Sequence, residues 1–170
     1  VRAGGNASGS LSHVALSQFA RTAGLRMEGV LFNGGGPAMQ SLVHCQFDAL
    51  FLSAPVAIPQ LTAQRLRALA ITAAEPLPLL AATPLLHQFY PGLVIENRYV
   101  LLAPAGTPKA VITRLNVEVR RALDDADVRE RYAALGLAAA GSTPEILAQT
   151  LRRDVERYSG MIRQGLLSLQ

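Results

Sequence analysis

What most restricts the folds open to this chain is a repeated unit: an apolar stretch, a turn of glycine and small polar residues, then an amphipathic helical pattern. The first instance is Val1–His13 (VRAGGNASGSLSH), which runs into Val14, Ala15 and Phe19. The second is Phe32–Pro37 (FNGGGP), which runs into Met39, Leu42 and Val43. A helix start leaves its first amide N–H groups without intrahelical acceptors, and the helix dipole favours negative charge there. A Gly/Ser-rich turn at that place can cradle a carboxylate or phosphate, or it can be an ordinary loop. No Gly-Lys-Ser/Thr follows the glycines, which argues against a nucleotide loop.

Read in order, Val1–Gly5 is a strand. Leu11, Val14, Ala15 and Phe19 mark a helix face that Gly24 closes as a left-handed cap. Met27–Phe32 is the next strand. Asn33–Gly36 is a turn, with Pro37 at the first position of a short helix. Asp48–Leu52 is a short apolar run of the kind found in buried parallel strands, Ser53 is placed to cap a helix over Pro55–Gln64, and Leu66–Thr72 (LRALAIT) reads as a fourth strand. This β-α-β-α-β-α-β rhythm with short connections predicts an open, mostly parallel sheet flanked by helices. Ligands on such sheets bind beyond the carboxyl ends of the strands, and both glycine-rich turns fall on that edge.

The character changes at Ala73–Gly92, which holds Pro76, Pro78, Pro84 and Pro91 and reads as a crossing or hinge segment, with Thr83–Pro84 opening a short helix. Leu93–Ala103 (LVIENRYVLLA) resumes strand character, and Thr107–Pro108 is placed to cap a helix with the stripe Val111, Ile112, Leu115, Val119 and Leu123. Asp125 caps a second helix (Val128, Tyr132, Leu135) that ends at Gly136, and Thr143–Pro144–Glu145 opens a third (Leu147, Leu151, Val155, Tyr158, Ile162). One strand followed by three amphipathic helices does not make a self-sufficient α/β layer, so these apolar faces need a further surface.

Composition removes several classes. Half the residues are hydrophobic, so a core is available. No run approaches the roughly 18 apolar residues of a membrane span. The net charge of +4 is modest, and the arginines from Arg114 to Arg163 alternate with Glu and Asp, which describes solvated helix faces and not a nucleic-acid patch. His13, His44 and His87 lack metal-ligand spacing. Cys45 beside His44 has no orienting acid and makes a poor nucleophile pair. Asp124, Asp125 and Asp127 suit helix capping. No cofactor, metal or catalytic residue is expected.

Several motifs together resemble one family. Gly9–Val14 (GSLSHV) is similar to a GSxxHL turn, Phe32–Ala38 (FNGGGPA) to YKGGxPA, and Leu66–Thr72 to LRALAVT. Tyr99–Pro108 (YVLLAPAGTP) is similar to YGLLAPAGTP, and it is followed by Arg114-Leu115-Asn116, Asp127–Gly136 (DVRERYAALG) and Gly141–Glu145 (GSTPE). On these residues the chain resembles the periplasmic substrate-binding proteins of tripartite tricarboxylate transporters, the Bug-type receptors. The resemblance implies a type II periplasmic-binding-protein fold. Two α/β lobes would close on a small carboxylate and present the closed form to membrane transporter subunits. Residues 1–72 would form most of the second lobe, 73–98 the crossing segment, and 99–170 the C-terminal part of the first lobe. The sequence that begins the first lobe is expected to be missing, which leaves one wall of the cleft and weak binding.

The expected ligand-binding residues are Ser8, Gly9, Ser10, His13, Phe32, Asn33, Gly34, Gly35, Gly36 and Ser53. Ser8, Gly9 and Ser10 offer amide and hydroxyl donors, or simply cap a helix. His13 either donates to a ligand or anchors the turn by bonding backbone. Gly34–Gly36 either admit a ligand to the backbone or serve positive φ. Ser53 is a cap, a contact or both. Four departures from the family pattern lie near this cleft: Phe32 and Asn33 replace its Tyr-Lys, His44-Cys45 its Gly-Gly, Arg98 its Trp, and Val100 a Gly. If the Cys45 corner keeps a left-handed backbone, it costs about 1 kcal/mol. Arg98 is either a new carboxylate partner or a surface arginine. The competing functional reading is an interaction or ligand-sensing domain that forms a homodimer through its uncovered helices.

Overall fold

The structure, a computed structural model, describes residues 1–165; the last five residues of the 99–170 segment lie outside the described part. The chain is α/β. Three parallel strands, β1 (Arg2–Gly5), β2 (Glu28–Leu31) and β3 (Ala49–Leu50), pair in the order β2-β1-β3, with Arg2 opposite Glu28 and Ala3 opposite Ala49. Helices α1 (Leu11–Thr22), α2 (Gly35–Val43) and α3 (Ala54–Thr62) each follow one strand. Helices α4 (Lys109–Asp124), α5 (Ala126–Ala134) and α6 (Pro144–Arg163) close the described chain.

The capping reads follow the sequence. Ser10 Oγ accepts from His13 N, Gly24 has φ +63° after α1, Asp125 Oδ1 accepts from Asp127 N and Val128 N, and Thr143 Oγ1 accepts from Ile146 N. The corner after α2 is left-handed at a residue with a side chain: Cys45 has φ 55°. Two caps differ. Ser53 takes the N-cap position of α3, but its hydroxyl makes no capping bond; its carbonyl accepts from Val56 N and Ala57 N instead. Pro108, not Thr107, is the N-cap of α4, and Thr107 Oγ1 donates to Pro104 O. Helix α2 begins two residues before Pro37, which sits within the first turn, where its missing N–H costs nothing.

Two expected strands do not form. Within Leu66–Thr72 only Ile71 bridges, in parallel sense, to Leu85: Ile71 N donates to Pro84 O and Leu86 N to Ile71 O. Pro84 thus belongs to this bridge, and the short helical turn comes later, at Leu86–Gln88. Leu93–Ala103 is also no strand. Ile95 N donates to Thr72 O and Thr72 Oγ1 to Ile95 O, but from Asn97 to Ala103 the backbone pairs with no strand among the described residues. An apolar, β-branched run fits a pleated surface; it becomes a strand only beside an available edge.

The core sits where α1 meets this irregular middle segment. Val14, Ala15 and Ile95 are buried together, with Leu11, Phe51, Tyr158 and Met161 packed around them. Phe19 meets Phe51 at 5.8 Å and Tyr90 edge-on at 5.5 Å between ring centroids. Helix α6 is held to this body by Arg157, which donates to Val94 O, and by Gln18 Nε2, which donates to Met161 Sδ. Burial pushes the Tyr158 phenol above its ordinary range. Helices α4, α5 and α6 contain no buried residue. Val111, Leu115, Leu151, Val155 and Ile162 are exposed, whereas Ile112, Val119, Leu123, Leu147 and Tyr158 are half-covered, so the expected shortage of covering surface is present on part of each helix.

Candidate functional site

In a parallel sheet every strand delivers its carboxyl end to the same edge, so α1, α2 and α3 all begin there. The chain leaves central β1 towards β2 and returns across it to β3, the strand-order reversal beside which ligands of open α/β sheets bind. Phe32 N donates to Gly5 O at 3.1 Å and Phe51 N to Gly4 O at 3.2 Å, which ties the flanking turns to the end of β1. The two glycine-rich turns and Ser53 therefore share one rim.

The first turn is closely bonded within itself. Asn6 N donates to Ser12 Oγ at 2.7 Å, Gly9 N to His13 Nδ1 at 3.1 Å, and Ser10 N to Ala7 O at 3.0 Å. The Ser10 and Ser12 hydroxyls share a 3.0 Å hydrogen bond. The amides of Gly9 and Ser10 are thus already engaged, and His13 uses one ring nitrogen to anchor the turn. The amides of Leu11 and Ser12, the first two residues of α1, find no acceptor among the described residues. Ser8 is half-buried in the same turn. Sequence reasoning passed over Asn6 and Ser12. The Asn6 Oδ1 atom is buried without a hydrogen-bond partner, and the residue's place directly after β1 was the available signal.

The three glycines of the second turn differ from one another. Gly34, the N-cap of α2, has φ +111°, which only glycine adopts freely. Gly35 is closely approached, since an added Cβ would lie 3.0 Å from Leu52 Cδ1 and that side chain would have to give way. Gly36 has neither constraint, because open space surrounds its Cα. The Gly35 and Gly36 amides have no acceptor among the described residues. Asn33 is exposed, and Phe32 is half-buried with its ring 5.4 Å from that of Phe47.

Arg98 is not brought to this rim as a carboxylate partner. Its guanidinium donates to Asp154 Oδ2 at 2.8 Å and to Glu96 Oε2 at 3.2 Å, which straps the middle segment to α6. Cys45 is exposed at the far end of α2. Among the described residues no group of three or more His, Cys, Asp or Glu is arranged to hold a metal, and no helix is long and apolar enough to cross a membrane.

Comparison with known proteins agrees with this architecture. The family described as tripartite tricarboxylate transporter family receptor matches residues 1–166. A UPF0065 protein from the tcbD-tcbE intergenic region of Pseudomonas sp. strain P51 is 31% identical over 156 residues, or 91% of this chain and 46% of that protein. MatC (Rpa3494) from Rhodopseudomonas palustris, solved with bound malate, is 30% identical with a TM-score of 0.70, over 94% of this chain and 56% of its own. R. palustris Rpa4515, solved with adipate, shares the fold at a TM-score of 0.83 and 23% identity, over 97% of this chain and 56% of its own. The chain spans about half the length of these relatives. Matched along nearly all of its residues, and with the glycine-rich strand-to-helix turns on one sheet edge, the chain belongs to the tripartite tricarboxylate transporter receptor family.

Proposed function

We propose that this chain carries one wall of a periplasmic receptor site for a small carboxylate, and that the loaded receptor delivers its solute to membrane transporter subunits. The observation that carries the reading is the convergence of unpartnered amides at Leu11, Ser12, Gly35 and Gly36 on one sheet edge. N–H···O⁻ bonds are charge-assisted and gain strength where water is excluded. Malate and adipate in relatives of the same fold support the ligand class. Residues 1–72 serve as most of the second lobe, 73–98 as the crossing segment, and 99–170 as the C-terminal part of the first lobe. A binding role fits better than catalysis, because the one imidazole at the rim is already committed to Gly9.

A single wall leaves a carboxylate largely hydrated. Calorimetry of this chain with malate, adipate or citrate is therefore expected to give a Kd no tighter than about 1 mM, or about −4 kcal/mol. Amide resonances of Leu11, Ser12, Gly35 and Gly36 are expected to shift when malate is raised to high millimolar levels. Micromolar affinity would contradict the one-wall reading; amides that never move would remove the carboxylate site itself.

A second reading, a homodimerising interaction domain, is favoured by one observation. Tyr99, Leu101 and Leu102 are 72%, 66% and 71% exposed on a segment whose backbone has no neighbouring strand among the described residues.

A further inference from the structure

The described residues of the rim carry no charged side chain. The chain has no Lys, Arg, Asp or Glu from Ala3 to Ala20, from Gly29 to Phe47, or from Ala49 to Gln64. Arg2, Glu28 and Asp48 stand at the starts of the strands, at the opposite edge, where the Arg2 guanidinium pairs with Glu28 and the Arg2 backbone N–H donates to Asp48 Oδ2. Arg21 lies in the last turn of α1, and His44 and Cys45 follow the end of α2. On the segment and helix packed against α1, Arg98 is held between Glu96 and Asp154, and Arg157 donates to Val94 O. The titratable side chain that these elements bring to the rim is His13.

We propose that His13 is a proton-operated latch on the first turn, and that its protonation releases the Gly9 amide and brings positive charge to the rim. The inference rests on the carboxylate reading only in naming what the released amide would serve. In the neutral ring Nδ1 accepts the Gly9 N–H at 3.1 Å, so the ring proton is on Nε2. Protonation puts a second N–H at Nδ1, two donors then face each other, and the bond is lost. The imidazolium also stands in the first turn of α1, where the dipole opposes it unless an anion is bound. By linkage, a carboxylate at the rim and a proton on His13 each favour the other.

Two-dimensional NMR of the whole chain without ligand tests this. The neutral His13 ring is expected as the Nε2–H tautomer. The Gly9 amide shift is expected to titrate with the same midpoint as the ring, and its exchange protection to fall about tenfold on the acid side, the loss of one hydrogen bond. His13→Asn keeps an acceptor in reach with nothing to titrate, so Gly9 should stay protected at every pH; His13→Ala should leave it unprotected at every pH. An Nδ1–H tautomer, or a Gly9 amide indifferent to the ring titration, overturns the latch. Adding malate separates the two ideas. A raised His13 midpoint supports the coupling, and an unchanged midpoint while the rim amides shift overturns it. Rim amides that do not move at any pH overturn the carboxylate reading and leave the ligand-free latch result standing.

Discussion

Gly4 and Gly5 lie side by side at the end of β1, and their environments set opposite costs. A Cβ on Gly4 would come within 2.7 Å of Cε2 and Cζ of buried Phe47 and 3.0 Å of Leu50 Cδ1, whereas one on Gly5 would meet nothing nearer than 3.5 Å. Gly4→Ala must move a ring that itself lies tilted against Phe32, 5.4 Å between centroids. It is expected to cost about 1–3 kcal/mol by overpacking, and Gly5→Ala less than about 0.5 kcal/mol. Urea unfolding checks both, as a lowered midpoint for the first at unchanged slope and a near-native midpoint for the second. At this scale much was legible beforehand. Ser10, Gly24, Asp125 and Thr143 announce their caps because local hydrogen-bonding and φ preferences act over three or four residues. The division of labour within Gly34–Gly36 was not legible, since three identical residues are told apart only by φ and by what stands in front of each.

Among the elements, α6 depends on its first turn because none of its residues is buried. Thr143 Oγ1 accepts from Ile146 N, and the Glu145 carboxylate is held below its ordinary range, first by its own backbone amide and then by the Thr143 hydroxyl. Thr143→Ala is expected to cost about 1 kcal/mol. A carboxyl with a depressed folded pKa stabilises above the ordinary carboxylate range, near 4.3, and loses that contribution as pH falls through the folded value. Glu145→Gln should therefore lower the thermal midpoint at pH 7 and converge on the native protein in acid, as read by circular dichroism melts across pH. The helices were legible because their periodicity is local. The strands over Leu66–Thr72 and Leu93–Ala103 were misread because pairing is settled by a distant edge: Thr72 meets Ile95, and Asn97–Ala103 meets no strand among the described residues. The convergence of three helix starts was legible in outline from the βα rhythm alone. That His13 anchors the turn through the backbone was one of its two expected roles; that Gly9, itself an expected donor, is the amide it takes was not legible.

On the scale of the whole molecule, sheet and C-terminal helices are joined through few ties: the Arg98 strap, Arg157 on Val94, the Gln18–Met161 contact, and Gly136, whose missing side chain lets it sit against Ile58 and Ala54 of α3. The run Tyr99–Leu102 lies outside this body with apolar side chains on both faces, the pattern of a strand covered on both sides. The isolated chain is expected to self-associate with rising concentration in sedimentation equilibrium, and Leu101→Lys to return it to a monomer without lowering its thermal midpoint. A monomer at every concentration would remove the dimerising reading. The uncharged rim has a further consequence. Amide dipoles cast a short field, and the nearest ionic groups stand at the other end of the strands. An anionic solute would be drawn in only by the net charge of +4 spread over the molecule, so its arrival would slow as salt rises, while its final seating would rest on short-range amide dipoles that salt barely touches.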